Sequence, residues 1–159
     1  MSVVVGVHPR VLGYLGRALT LEYSAVQQYM TQTSLVALWG QAEAADRFRR
    51  ETVEELRHAE RIIERMLTLG VAPAASQLRP VWTGSDLYQL LHQDLELEED
   101  LVLLYDEAAR FCTVVRDESN GSFFRDLCEE ERQHGEDLKE WLGQIDRNGL
   151  GGVDQRATF

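Results

Sequence analysis

The strongest constraint on this chain is a repeat. Glu55-Leu56-Arg57-His58 and Glu131-Arg132-Gln133-His134 are two copies of Glu-x-x-His, 76 residues apart. In a helix that spacing puts carboxylate and imidazole one turn apart on one face. The same offset relates Glu22 to Glu98 and Tyr29 to Tyr105. One Glu-x-x-His is a common pairing on a solvated helix. Six such residues at a common offset, each in or beside an apolar stripe, form a pattern that chance does not explain.

The stripes are helical. Pro9 suits the first helical position, and Leu12, Leu15, Leu19, Glu22, Val26, Tyr29, Thr33 and Val36 alternate steps of three and four, the seam of a bundle helix. A second stripe, Phe48, Glu51, Glu55, His58, Ile62 and Leu69, follows the break at Gly40. The third begins with Asp86 as N-cap and Gln89 three residues on, then runs Tyr88, Leu91, Leu95, Glu98, Val102, Tyr105, Ala109 and Cys112. A fourth, Phe124, Leu127, Glu131, His134, Leu138, Trp141 and Ile145, follows a break assigned to Asn120-Gly121.

These spacings predict an all-α single domain over residues 1–159, with helices at about 9–39, 41–70, 86–117 and 122–147. Between them, residues 71–85 hold Pro73, Pro80 and Gly84 and lack helical periodicity. Fifteen extended residues reach about 50 Å, enough to run the length of a bundle. Two short turns and one long crossover describe a four-helix bundle whose halves are related by a pseudo-twofold axis. The Gly-rich tail, 148–159, is compatible with a short fifth helix or with none.

Composition narrows the function. The net charge of -11 argues against nucleic acid or an anionic membrane, both of which attract basic surfaces. No apolar run approaches the ~18 residues of a membrane span. The opening Met-Ser-Val-Val-Val-Gly-Val lacks the basic start of a secretory signal. A cytoplasmic protein is expected. Cys112 and Cys128 are not spaced as a zinc or redox pair, so each is expected to be a reduced, buried thiol.

The seams would bury Glu22, Glu55, Glu98 and Glu131 together with His58 and His134. Four uncompensated carboxylates in a dry interior are prohibitively costly. Either most are protonated or cations neutralise them, and two divalent ions would balance four carboxylates. An oxygen-rich set with two imidazoles suits iron or manganese, with zinc as a competitor. Tyr29 and Tyr105 read as core aromatics or as hydrogen-bonding neighbours of that centre.

Across nearly its whole length the chain resembles bacterioferritin. Leu19-Thr20-Leu21-Glu22 with Gln28-Tyr29 is similar to that family's first helix, and Glu55-Leu56-Arg57-His58-Ala59 to its second. Asp94-Leu95-Glu96-Leu97-Glu98 resembles the third, and Glu130-Glu131-Arg132-Gln133-His134 the fourth. Ordinary ferritins usually lack the second histidine.

The resemblance implies a ferritin-like fold and a ferroxidase that oxidises Fe(II) with O2 or H2O2 and stores the product as mineral in a hollow homo-oligomeric shell, a 24-mer. Glu22 with His58 would hold one of two irons per subunit, Glu98 with His134 the other, and Glu55 and Glu131 would bridge them, with manganese or zinc as substitutes. Three positions depart from the family pattern. Leu56 stands where a methionine ligates haem between two subunits, so haem is expected to be absent. Arg50 and Glu54 stand where the family's inner-surface iron site has His and Asp. The tail leaves the fifth helix open. The rivals are a ferroxidase-type subunit in a shell mixed with a haem-containing paralogue, and a rubrerythrin-like di-iron peroxidase, which usually carries a Cys-x-x-Cys module that this chain lacks. A DNA-protecting mini-ferritin fits poorly with the acidic composition and the ligand set within one chain.

Overall fold

The computed structural model of the protein describes residues 6–148, so the tail beyond Asn148, with its possible fifth helix, and the opening five residues lie outside the described residues. Among the described residues there are four helices: α1 (Pro9–Leu38), α2 (Ala42–Thr68), α3 (Leu87–Val114) and α4 (Glu118–Asn148). At 30 residues, α1 spans about 45 Å. It pairs with α2, α3 pairs with α4, and the two hairpins join through α1 and α3. The architecture is the all-α bundle expected from the stripes. No helix among the described residues is long and apolar enough to cross a membrane.

Helix starts follow local chemistry. His8 caps α1, its Nδ1 accepting from the Arg10 N–H at 3.1 Å, with Pro9 where a missing N–H costs nothing. Asp86 caps α3 by accepting from the Gln89 N–H at 2.8 Å, and Gln89 Oε1 accepts in return from the Ser85 N–H at 3.0 Å.

Three helix ends share one motif, a left-handed residue whose N–H and following N–H bond back to the last turn. Gly40 (φ 78°) ends α1 and Gly70 (φ 79°) ends α2. The third is Arg116 at φ 59°, whose N–H bonds the Thr113 carbonyl while the Asp117 N–H bonds that of Cys112. The break assigned to Asn120-Gly121 is therefore corrected: the chain turns at Arg116, and α4 starts four residues earlier than Ser122. Asp117 caps it, accepting from the Asn120 N–H at 3.1 Å. Asn120 is buried, donates to Asp117 and accepts from Arg65 of α2. Gly121 lies inside the helix because α4 crosses α3 closely there, where a Cβ would sit 3.2 Å from that of Cys112. Tyr88 also differs from the expected stripe. It is exposed, because the buried face of α3 runs through Leu90, Leu91 and Asp94, and Tyr88 lies about a quarter-turn off Leu87.

The crossover is pinned along α1 by polar residues four apart. Thr20 bonds Ser76, Ser24 Oγ accepts from the Arg79 N–H, and the Gln28 amide both donates to the Trp82 carbonyl (2.7 Å) and accepts from its N–H (2.9 Å). Gly84, at φ 51°, ends the segment where any Cβ would strike the Trp82 ring. Phe48, Phe124, Tyr14 and Leu90, Leu91 and Leu101 of α3 fill the core on either side of a polar middle layer. Cys112 and Cys128 are free and buried, and burial pushes the Cys112 thiol up to about 11.

Candidate metal centre

The middle layer is where the sequence pattern concentrates its charge. Glu22 on α1, Glu55 and His58 on α2, Glu98 on α3 and Glu131 on α4 are all no more than 1 % exposed. His134 is 14 % exposed. These six side chains meet in one place. Glu22, Glu55, His58 and Glu131 can each offer a ligand atom within 4.8 Å of the others, and so can Glu55, Glu98, Glu131 and His134. Glu55 and Glu131 belong to both groups.

The contacts show how they are shared. His58 Nδ1 is 2.8 Å from Glu131 Oε1, 3.3 Å from Glu55 Oε2 and 3.6 Å from Glu22 Oε1. His134 Nδ1 is 3.1 Å from Glu55 Oε1 and 3.1 Å from Glu131 Oε2. Each shared carboxylate thus places one oxygen by each imidazole. The two rings are nearly parallel, with centroids 5.5 Å apart.

Tyr29 and Tyr105 act across the pseudo-twofold. Tyr29 of α1 donates to Glu98 Oε1 on α3, and Tyr105 of α3 donates to Glu22 Oε1 on α1. Burial and the adjacent carboxylates hold both phenols well above their ordinary range, so they remain neutral donors. Each tyrosine satisfies one oxygen of its glutamate. Among the described residues the other, Glu22 Oε2 or Glu98 Oε2, has no hydrogen-bond partner, nor do both oxygens of Glu55, Glu131 Oε1 and His58 Nδ1.

Unpartnered atoms at such density are rare in a native interior. All but one are carboxylate oxygens, acceptors without a donor, and the other is an imidazole nitrogen. That donor set fits divalent cations bound by oxygen and nitrogen. Without them, protons do the balancing. Burial would lower the histidines, but the carboxylates of Glu131 and Glu55 close beside them, and for His58 also that of Glu22, raise both, His134 to about 10. Burial would likewise raise Glu55 and Glu131, yet the imidazoles hold both below the ordinary carboxylate value. Glu22 and Glu98 go the other way, pushed up by burial and by Glu55 and Glu131.

Four further residues belong to the surroundings, and the stripes did not single them out. Gln32 Nε2 donates to Asp94 Oδ1 at 2.7 Å, both side chains fully buried, and Asp94 Oδ2 and Gln32 Oε1 are left unpartnered. Asp94 lies one turn before Glu98 on the same face, a signal that was present in the spacing. Glu130 accepts from His58 Nε2 at 2.8 Å and from Arg61 Nη1 at 2.8 Å and 2.9 Å. No spacing rule connects residues about 70 apart on two helices. Leu56, beside Glu55, faces outward at 45 % exposure with Val53 near it on α2. Arg50 is exposed and Glu54 is half-buried, bonded to Arg57. A cavity of about 490 Å3 between α3 and α4 is lined by Glu98 and Glu131, with Leu95 and Val102 among its walls.

Comparison with known proteins gives a consistent answer. A family described as "Ferritin-like domain" matches residues 12–148. The bacterioferritin of Rhodobacter capsulatus is 34 % identical over 140 residues, covering 88 % of this chain and 87 % of the relative. A bacterial ferritin of a Synechocystis species is 31 % identical over 143 residues, covering 89 % and 92 %. The solved structure of the Rhodobacter capsulatus protein, described with a metal-free dinuclear site and a haem iron in a crystallographic special position, superposes with a TM-score of 0.86 at 31 % identity, covering 97 % of this chain and 100 % of that one. On fold, length and sequence alike, this chain belongs to the bacterioferritin family within the ferritin-like superfamily.

Proposed function

We propose that the protein is an iron-storage ferroxidase that takes Fe(II) as substrate, oxidises it at a dinuclear centre within each subunit, and stores the product inside a shell of many copies, as the resemblance to bacterioferritin implies. The reading rests chiefly on the two four-residue groups that share Glu55 and Glu131, with their unpartnered oxygens. Glu22 and His58 would hold one iron, Glu98 and His134 the other, and Glu55 and Glu131 both. Two irons side by side supply two electrons to one molecule of O2 or H2O2. The chain's own part is to neutralise and orient. Four carboxylates offset the charge of two divalent ions, Tyr29 and Tyr105 hold Glu98 and Glu22 in place, and the protons on the histidines must leave as metal arrives.

Haem is not part of this proposal. Leu56 offers no lone pair, so protein purified after haem-supplemented expression should lack a Soret band, and a stoichiometric band there would overturn this point. The alternative is that this subunit shares a mixed shell with a haem-bearing paralogue. Native mass spectrometry of the complex from its own cells separates one subunit type from two.

The ferroxidase reading is tested by anaerobic Fe(II) titration followed by O2 pulses. The expected result is two irons per chain, with fast oxidation that falls more than about 100-fold in Glu131→Ala, beyond the loss typical of an outer partner. Fewer than one bound iron per chain would sink the dinuclear centre.

A further inference from the structure

The signature that marks the metal centre, buried acceptors with no donor, recurs once outside its ligands among the described residues. Asp94 Oδ2 and Gln32 Oε1 are left over after Gln32 Nε2 has donated to Asp94 Oδ1 at 2.7 Å. Both residues are 0 % exposed, so bulk solvent does not supply what is missing. Two such oxygens in a dry interior are costly unless something positive sits between them.

Three helices meet at this level. Gln32 lies one turn beyond Tyr29 on α1, Asp94 one turn before Glu98 on α3, and Glu51 one turn before Glu55 on α2. Glu51 is half-buried, the one member with access to solvent. Burial pushes Asp94 well above its ordinary value; the bond from Gln32 pulls it down, and the Glu51 carboxylate adds to the rise. Tyr29, raised by burial and by Glu98, feels Asp94 and Glu51 as well, so these groups share one neighbourhood. Across the pseudo-twofold the counterparts of Gln32, Asp94 and Glu51 are Ala108, Ala18 and Leu127, all apolar and all 0 % exposed. The core therefore packs at this level without polar groups. That three helices turn polar together on one side points to one object that all three serve.

We propose that Gln32, Asp94 and Glu51 form a third cation site in each chain, separate from the dinuclear centre and suited to one hard, oxygen-preferring divalent ion such as Mn(II) or Mg(II). Two carboxylates balance one divalent charge, and the Gln32 carbonyl adds a neutral oxygen. The open Glu51 side leaves room for the waters that such ions keep. The site has no imidazole, whereas each half of the dinuclear centre has one. Zinc, which takes nitrogen readily, is drawn to the histidines, and oxygen-only donors favour the harder ions. The bound ion links Gln32 and Glu51 of one hairpin to Asp94 of the other.

The test fills the dinuclear centre first. Full-length protein stripped with chelator is given two equivalents of Zn(II), then titrated with Mn(II) and followed by electron paramagnetic resonance and calorimetry. The wild type should bind one further equivalent, of Mn(II), with the zinc retained. In Asp94→Asn that equivalent should be lost, its affinity falling more than about 100-fold, and in Gln32→Ala it should weaken about 10–100-fold. Both variants should still take two Zn(II), and circular dichroism checks that they keep their helices. Manganese bound equally by wild type and variants would sit on exposed carboxylates and overturn the site. An infrared carboxylic-acid band that persists at saturating Mn(II) and vanishes in Asp94→Asn would overturn it too, because a proton then takes the place of the ion. Fewer than two Zn(II) per wild-type chain would remove the dinuclear reading, while the difference in Mn(II) uptake between wild type and Asp94→Asn still decides the third site.

Discussion

The two hairpins of this molecule, α1–α2 and α3–α4, make the same buried carboxylate–histidine layer from different surroundings. Glu22, Tyr29, Glu55 and His58 correspond to Glu98, Tyr105, Glu131 and His134, and Phe48 to Phe124, all at one offset. One turn away the likeness ends. Gln32, Glu51 and Asp94 on one side of the centre correspond to Ala108, Leu127 and Ala18 on the other. Symmetry persists where charge has to be shared between halves. A glutamate contributed by one hairpin is useful only if the other supplies its counterpart and a tyrosine to hold it. Beyond that layer no such sharing is required, and one side has become polar while the other is apolar.

Removing the aromatic floor should have the largest effect and should strike both halves alike. Phe48 packs by Tyr29 and Trp141, and Phe124 by Tyr105 and Tyr14, each fully buried. Phe48→Ala and Phe124→Ala should each cost about 3–5 kcal/mol in denaturant unfolding. If one costs less than half as much as the other, the two floors are not equivalent and the symmetry is confined to the ligands.

The metal-free centre should respond to pH through its raised imidazoles, His58 and His134. A histidine raised in the folded state lends its full stability below its ordinary value of 6.5 and loses it as pH climbs through the folded value, about 10. Glu22 and Glu98, also raised, contribute with the same sign. The melting temperature of chelator-treated protein should therefore fall between pH 6.5 and about 10, and fall less in His134→Ala. A flat profile would mean that imidazolium–carboxylate pairing does not hold the centre together.

The smallest effect tests the turns. Gly40 and Arg116 are corresponding residues and adopt the same left-handed conformation, but only glycine does so without steric cost. Arg116→Gly should raise stability by about 1 kcal/mol, read from thermal unfolding at fixed pH. A loss instead would show that the Arg116 side chain earns its place through contacts outside the turn.

That turn also shows where sequence reasoning went astray. The offset linking the halves maps the break at Gly40 onto Arg116. The Asn120-Gly121 pair gave a stronger local signal and displaced it. Propensity ranks what a residue tolerates, and here the close crossing of α3 and α4 required a glycine inside a helix rather than at its end. Asp94 was legible too, one turn from Glu98 on a buried face, but a lone acid among leucines carries little weight until its partner Gln32 is seen.

By itself, the sequence determined the helices, their inward faces and the six residues on those faces, because periodicity along one chain reports which side chains share a face. It also settled the charge problem, since four carboxylates on buried stripes must be balanced by something. Only the tertiary structure decided who holds whom. That Tyr29 serves Glu98, that Tyr105 serves Glu22, and that Glu130, held by Arg61, bonds His58, all depend on side chains from different helices meeting at hydrogen-bond distance. Spacing along a chain carries no information about that until the helices pack.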